Sequence, residues 1–472
     1  MYSRLAYFAI RAETTENTPL TPNVFLGAAA VDLVTQYIRV PSSPILGDRN
    51  TRVNPVKGPI DAPQGTLTVQ VEPKGIGYLL KAIFGAVNTG RYFPISAVTG
   101  TFVVGETITG GTSAATATVV AVSAEADYLI MGSPTGTFTV GGEAITGGTS
   151  GATATLGVNA ATVYGHEFKG PQNTLPTYTI EIGYTNEAIR LCGVRFNSLS
   201  ALKSEDNIIT ADIGIFARSE FKMARVLAAV TAGSNKVITL DQTQGLTTAD
   251  TIKVFRPSTG AFMDLSASSV KTSSISSISA GVSVTIGTLT DALVAGDLLV
   301  LAPQTPSYTL GKELSWIGGS VARTGDTITA AIAASAALSS IEEFELNVVN
   351  EMEARHAANA TLVSSRFPTA NHLKGFNGGG TIRKAYADMT FLDRMRNGTE
   401  TALQVRHTGD QIGATSVYYT LDVRMPRCIF DPWHPPLGND ALLDEDMAFT
   451  FYKDSTAGYG AKALLVTDVT AY

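Results

Sequence analysis

Charge is what this chain has least of. Asp, Glu, Lys and Arg make up 16% of its 472 residues, against about a quarter in an ordinary globular chain. The balance is slightly acidic, with a net charge of −7 and a pI near 5.4, so a chain-wide basic footprint for gripping nucleic acid is missing. Cysteine is reduced to Cys192 and Cys428, neither in a Cys-x-x-Cys or other metal-like spacing, which points to buried free thiols. No apolar run approaches the ~18 residues a membrane-spanning helix needs. The N-terminal MYSRLAYFAIRAE, its apolar stretch broken by Arg11, does not read as a signal peptide. The expectation is a chain made in the cytoplasm, without membrane insertion.

Catalytic patterns are missing too. His166, His356, His372, His407 and His434 are scattered, with no zinc spacing among them. No nucleophile elbow or phosphate-loop lysine is present, and the Gly378–Gly380 triplet precedes a strand, the wrong context for a phosphate loop. Asp444, Glu445 and Asp446 lack the alternating ligands and central glycine of a calcium loop and read as a solvated acidic turn. These absences lead to an expectation of no enzyme activity, no cofactor and no metal.

Glycine, threonine, serine and alanine are what the chain has instead, a composition suited to many short strands and tight turns. The stretch GTLTVQVEPKGIGYLLKAIFGA (65–86) predicts a strand alternating through Leu67, Val69 and Val71. A helix follows with Ile76, Leu79, Leu80 and Ile83 on one stripe, closed by Gly85. GGGTIRKAYADMTFLDRMRNG (378–398) repeats the plan: a strand, Asp388 as cap, a helix with Phe391, Leu392 and Met395, and Gly398 as stop. LPTYTIEIGY (175–184) matches VYYTLDVRMP (417–426), and IITADIGIFA (208–217) matches DMAFTFYKD (446–454). Shared order and shared pattern suggest an internal duplication. The expected organisation is mainly β: a first β-domain over 1–92 and 160–225, an inserted β-repeat module over 93–159, a second inserted β-module over 226–305, and a second β-domain over 306–472.

Within the first insertion, GTFVVGETITGGTSAATATV (100–119) recurs as GTFTVGGEAITGGTSGATATL (136–156), each a pair of short strands about a Gly-Gly turn. Glu106 and Glu143 fall at matching places and read as turn-supporting or exposed carboxylates, since no histidine or metal-like cluster accompanies them. In the second insertion, the serine-rich 266–281 reads as an exposed turn region. Further on, 313–335 reads as two strands across an Arg-Thr-Gly-Asp turn. Two segments read as arms reaching a neighbour: the Pro- and Gly-rich 40–65 with Arg49, Arg52 and Lys57, and the shorter 365–379 with Phe367 and His372.

The glycine-led strand and helix at 65–86, LPTYTIEIGY followed by GVRFNSLSAL, and the C-terminal YTLDVRMPRCIFDP together resemble the tail tube proteins of long-tailed bacteriophages. The resemblance covers most of 1–90, 165–225 and 305–472. It implies a β-sandwich or partly closed barrel with a flanking helix, here present twice. It further implies self-assembly into stacked rings that conduct the genome to the host. Six-membered rings are the family's rule; a duplicated chain would complete one as a trimeric, pseudo-hexameric ring, with hexameric rings as the alternative. The implied partners are copies of itself, other tail proteins, and double-stranded DNA passing through the lumen without specific binding. The arms become candidates for ring stacking, and Glu181 and Asp422, on the matched strands, candidates for lining a DNA-repelling lumen. A surface-layer, pilus or adhesion protein built of β-sandwich modules is the alternative class.

Overall fold

Strands dominate the architecture. A computed structural model describes residues 6–35, 37–42, 54–139, 141–157, 162–170, 172–205, 208–309, 311–316, 320–333, 341–356, 367–386, 389–432 and 444–472. It is mainly β, with three short helices among the described residues.

Two six-stranded antiparallel sheets form the centre. The first is made of β1 (Tyr7–Ala12), β2 (Ala28–Val34), β3 (Gln64–Gln70), β4 (Tyr178–Gly183), β5 (Ala188–Glu205) and β6 (Ile208–Phe216). Its spatial order is β1–β4–β5–β6–β3–β2. The second is made of β7 (Ser320–Gly325), β8 (Ile341–Arg355), β9 (Ala370–Ala385), β10 (Thr401–Gln411), β11 (Tyr418–Phe430) and β12 (Asp444–Phe451). Its order is β7–β10–β11–β12–β9–β8. The two orders correspond place for place, and a helix follows the third strand of each sheet: α1 (Ile76–Phe84) after β3 and α3 (Thr390–Asn397) after β9.

Local sequence explains both helices. Ile76, Leu79, Leu80 and Ile83 of α1 are all buried, and the helix stops where Gly85 turns left-handed at φ 88° and donates to the Lys81 carbonyl. Helix α3 buries Phe391 and stops in the same way at Gly398, φ 62°. The expected cap, Asp388, lies outside the described residues; the cap position falls on Met389, whose side chain makes no cap bond. One hydrophobic core runs through both sheets, from Phe8 and Leu67 to Phe344 and Leu465. Asn350 of β8 ties them further, its side-chain amide donating to the Ile83 carbonyl of α1 at 2.9 Å. The two β-domains read from the sequence therefore pack as one body.

Three expectations are corrected. The segment 320–333 is one strand and then a short helix, α2 (Ile328–Ala333), because Ile328 and Ala331 share a buried helical face in an alanine-rich run. The serine-rich stretch contains a strand, Ser273–Ser279, anchored by buried Ile275. The sequence match between 175–184 and 417–426 joins the wrong strands: hairpin order places β11 opposite β5, and β4 opposite β10.

The inserted modules have cores of their own. In the first, the strands Val87–Thr99, Thr153–Leu156, Ala144–Gly147, Thr107–Gly110, Thr116–Val122 and Tyr128–Met131 pair in that order, and the last returns to the first to close a barrel. Phe102, Phe138, Ile108 and Ile145 fill it. In the second, Ala224–Arg225, Leu298–Leu301, Thr251–Arg256, Ser273–Ser279, Ser283–Leu289 and Gly233–Thr239 form a continuous ladder whose ends meet at a Val226–Leu240 bridge. The first module sits in the sequence between β3 and β4 of the first sheet, yet it mounts on the second. Strand Val87–Thr99 pairs with Tyr164–Gly170, which pairs with Ala461–Thr467, which pairs with β11.

Candidate assembly site and the arginine anchors

Corresponding strands carry corresponding irregularities. Between β4 and β5, Tyr178 faces Val194, Ile180 faces Leu191 and Glu181 faces Arg190, with a bulge after Tyr178. Between β10 and β11, Thr401 faces Cys428, Leu403 faces Met425 and Gln404 faces Arg424, with the bulge after Thr401. The register places Arg190 opposite Arg424 and Phe196 opposite Phe430 as structural counterparts. Two glycines also coincide. A side chain on Gly65 would meet the backbone carbonyl of Asp32, and one on Gly380 would meet that of Glu345, each from the strand paired alongside.

The two arginines are anchors. Arg190, with only 1% of its side chain exposed, holds Glu181 of β4 at 2.6 Å and Asp250 of the second module at 2.6 Å. Its Nη1 also donates to the Gly245 carbonyl at 2.9 Å. Arg424, with 2% exposed, holds Asp422 of β11 at 2.9 Å, and Asp127 and Glu125 of the first module at 2.6 and 3.0 Å. Lys462 adds a contact to Glu125 at 2.6 Å. Each module is thus fastened to a sheet by one guanidinium shared between a sheet carboxylate and a module carboxylate. Burial opposes charge on Arg190, but Asp250 and Glu181 outweigh it and raise its pKa above the usual value. Burial likewise opposes charge on Glu125, but Lys462 and Arg424 prevail and lower its pKa to about 2.

These clusters correct the expectation for Glu181 and Asp422. Exposed 1% and 2%, both lie inside the protomer, engaged with Arg190 and Arg424, and neither can line a lumen. They are also not counterparts of one another; Gln404 occupies the place of Glu181. The arginines that matter were legible only weakly, as Ile189-Arg190-Leu191 ahead of Phe196-Asn197 against Val423-Arg424-Met425 ahead of Phe430-Asp431.

Among the arm candidates, Arg49 and Arg52 lie outside the described residues. Lys57 sits on a two-stranded hairpin, Tyr37–Ser42 with Asn54–Ile60, opposite Arg39. Phe367 is buried at 5% exposure, so its ring is committed within the protomer and is corrected as a stacking contact. His372 is exposed on β9, across from Glu353 of β8. The hairpin of the first sheet connects β2 to β3, and residues 356–369 connect the corresponding β8 and β9.

Glu106 and Glu143 are buried turn supports. Glu106 accepts backbone N–H groups from Val103 of its own repeat, at 2.7 Å, and from Thr149 and Ser150 of the other, at 3.1 and 2.9 Å. Glu143 reciprocates, accepting from Thr139 at 2.7 Å and from Thr112 and Ser113 at 3.0 and 2.6 Å. Burial works against both charges, but these donors hold each carboxyl below its usual range. The exchange locks the repeats together and uses up the oxygens that a general acid would need. Among the described residues no group of His, Cys, Asp or Glu is placed to hold a metal ion, and no helix is long and apolar enough to cross a membrane. Cys192 and Cys428 are free and buried, and burial raises the Cys192 thiol to about 12. Compared with known proteins, the chain matches no protein-family model and no curated protein.

Proposed function

We propose that this chain is a structural subunit carrying the tail-tube fold twice, and that copies of it assemble into stacked rings forming the tube of a bacteriophage tail, the conduit for genome ejection. The observation that carries the reading is the place-for-place agreement of the two sheets. Strand order, the bulge beside the second strand pair, the glycine at the close approach, the buried arginine and the glycine-stopped helix all recur. Independent origin would have to reproduce each of these separately. Duplication supplies them at once.

Two tube folds per chain give a ring in which three copies present six equivalent sheets. The barrel modules then decorate the ring, fastened by Arg190 and Arg424, and the role is mechanical, without catalysis. The acidic balance of the chain suits a conduit that duplex DNA passes without being held, because basic side chains bind DNA through counterion release. Other tail proteins cap the tube at its ends.

Electron microscopy of the purified chain in negative stain tests this, with ring symmetry counted in class averages. Stacked rings of three copies around a sixfold-like inner wall are expected. Six whole copies per ring would keep the tube and refute the pseudo-sixfold arrangement. Dispersed monomers at high concentration would favour a surface-layer or adhesion module instead.

A further inference from the structure

Both halves of the chain carry a long hairpin, and the two agree pair by pair. In the second half β8 and β9 run on beyond the sheet, where Glu353 faces His372, Ala354 faces Asn371 and Arg355 faces Ala370. In the first half Tyr37–Ser42 and Asn54–Ile60 continue β2 and β3, and there Arg39 faces Lys57, Val40 faces Val56 and Pro41 faces Pro55. Each hairpin has a bulge at the same step, between Glu351 and Met352 in one and between Tyr37 and Arg39 in the other. Each has another at its base, between Ile341 and Glu343 and between Ala28 and Ala30. Lys57 and His372 thus fall at one place in the two halves.

The second-half hairpin is seated inside the chain. The halves meet where Leu199 of β5 faces Val348 of β8 and Ser198 faces Val349, and beyond that ladder the hairpin lies over the first half. Asn350 holds the Ile83 carbonyl of α1. Arg195 donates through Nη1 to the Asn371 carbonyl at 2.7 Å, and Arg218 through Nε to the Pro368 carbonyl at 3.1 Å. Phe376 stands against Phe84 of α1, with ring centroids 6.4 Å apart, and Phe367 is buried. Among the described residues the first-half hairpin is a two-stranded sheet of its own, paired with no third strand. Two strands alone are at best marginally stable in water, so such a hairpin needs a surface to lie on.

The second half offers the matching surface. The register of β5 and β6 against β11 and β12 puts Ile429 in the place of Arg195 and Tyr452 in the place of Arg218. The backbone agrees, the Arg218 N–H donating to the Cys192 carbonyl and the Tyr452 N–H to that of Arg427. Tyr452 is 46% exposed and borders an open cleft of about 550 Å³ lined by residues 450–453 and 376–379.

We infer that the hairpin of Tyr37–Ser42 with Asn54–Ile60 seats on the second half of a neighbouring copy in the same ring, over Ile429, Tyr452 and the cleft beside them, as its counterpart seats on the first half within the chain. The second half grips the first inside a chain, and the first half grips the second of the next chain. One head-to-tail step repeated in this way closes a ring. The arm acts sideways within a ring rather than between stacked rings. This inference rests on the ring reading above and specifies its contact.

Cross-linking of assembled rings tests it, with Val56→Cys and Tyr452→Cys in one full-length chain, a short bis-maleimide, and a denaturing gel. Cys192 and Cys428 are buried and do not compete. Most chains are expected to link copy to copy, with bands that stop at the number of copies in one ring; either substitution alone should leave the chains unlinked. Rings without linked copies would overturn the seat and leave the ring reading standing. Bands that run past one ring's worth of copies would put the hairpin between rings and overturn it too. A second variant, with residues 40–56 replaced by an Asn-Gly turn, is expected to keep the melting temperature and lose the rings. Complete but unstacked rings from that variant would also overturn the seat. If the parent chain never assembles, the ring reading fails and the seat with it.

Discussion

At the scale of single residues, Arg190 and Arg424 are buried charges whose partners come from two parts of the chain. Each lies beneath a module and neutralises carboxylates that have no water to turn to. A buried ion cluster contributes little net stability when whole, because desolvation of its members offsets their attraction. Losing one member is different, since the remaining charges stay buried without a partner. Arg424→Met is therefore expected to lower the unfolding free energy by about 3–5 kcal/mol, and Arg190→Met by a similar amount. Urea denaturation measures the loss. Limited proteolysis is expected to cut near the first module in Arg424→Met and near the second in Arg190→Met. Equal cutting at both modules in either variant would mean that the arginines are not the module anchors.

Elements show the same logic at the next scale. Strand β3 lies so close to β2, and β9 so close to β8, that only glycine fits at Gly65 and Gly380; a methyl group on either would press on a backbone carbonyl, which cannot swing away. Gly65→Ala and Gly380→Ala are each expected to cost about 1–3 kcal/mol, the range for overpacking in a rigid site. Gly287→Ala is the control, because a side chain there meets nothing within 4 Å. Chemical denaturation of the three variants tests the correspondence of the sheets at one stroke. A neutral Gly380→Ala beside a costly Gly65→Ala would show that the two approaches differ.

For the whole molecule, pH acts on groups that stitch distant parts together. His166 is fully buried between the Thr89 hydroxyl and the Val469 carbonyl, both at 2.9 Å, and His407 is buried on β10. Burial lowers both pKa values from 6.5 to about 4. A lowered value means that the unfolded chain takes up the proton first. Stability from these histidines is complete above pH 6.5 and is lost as pH falls from 6.5 towards about 4. Glu125, lowered from 4.5 to about 2, contributes stability that is complete above pH 4.5 and lost between there and about 2. The melting temperature is thus expected to fall in two stages on acidification. His407→Gln should shrink the first stage to the share of His166 and leave the second unchanged. A melting temperature constant from pH 7 to 4 would refute the assignment.

By itself the sequence determined many of the elements, though not α2 or the strand Ser273–Ser279. Alternation placed β3 and β6, helical spacing placed α1, two glycines placed the stops of α1 and α3, and the internal repeat announced the paired strands of the first module. These are local properties, set by backbone geometry and by which face of a short segment is apolar. The tertiary structure alone decided partnership. It showed that β11 answers to β5 rather than to β4, that a module inserted in the first sheet mounts on the second, and that Glu181 and Asp422 point into arginine clusters and not into a lumen. The physical reason is that strand alternation gives two faces without saying which is inside. A charged residue on a strand therefore reads as exposed until the cluster it joins is seen, here completed by module carboxylates some 60 to 300 residues from the arginines in the chain.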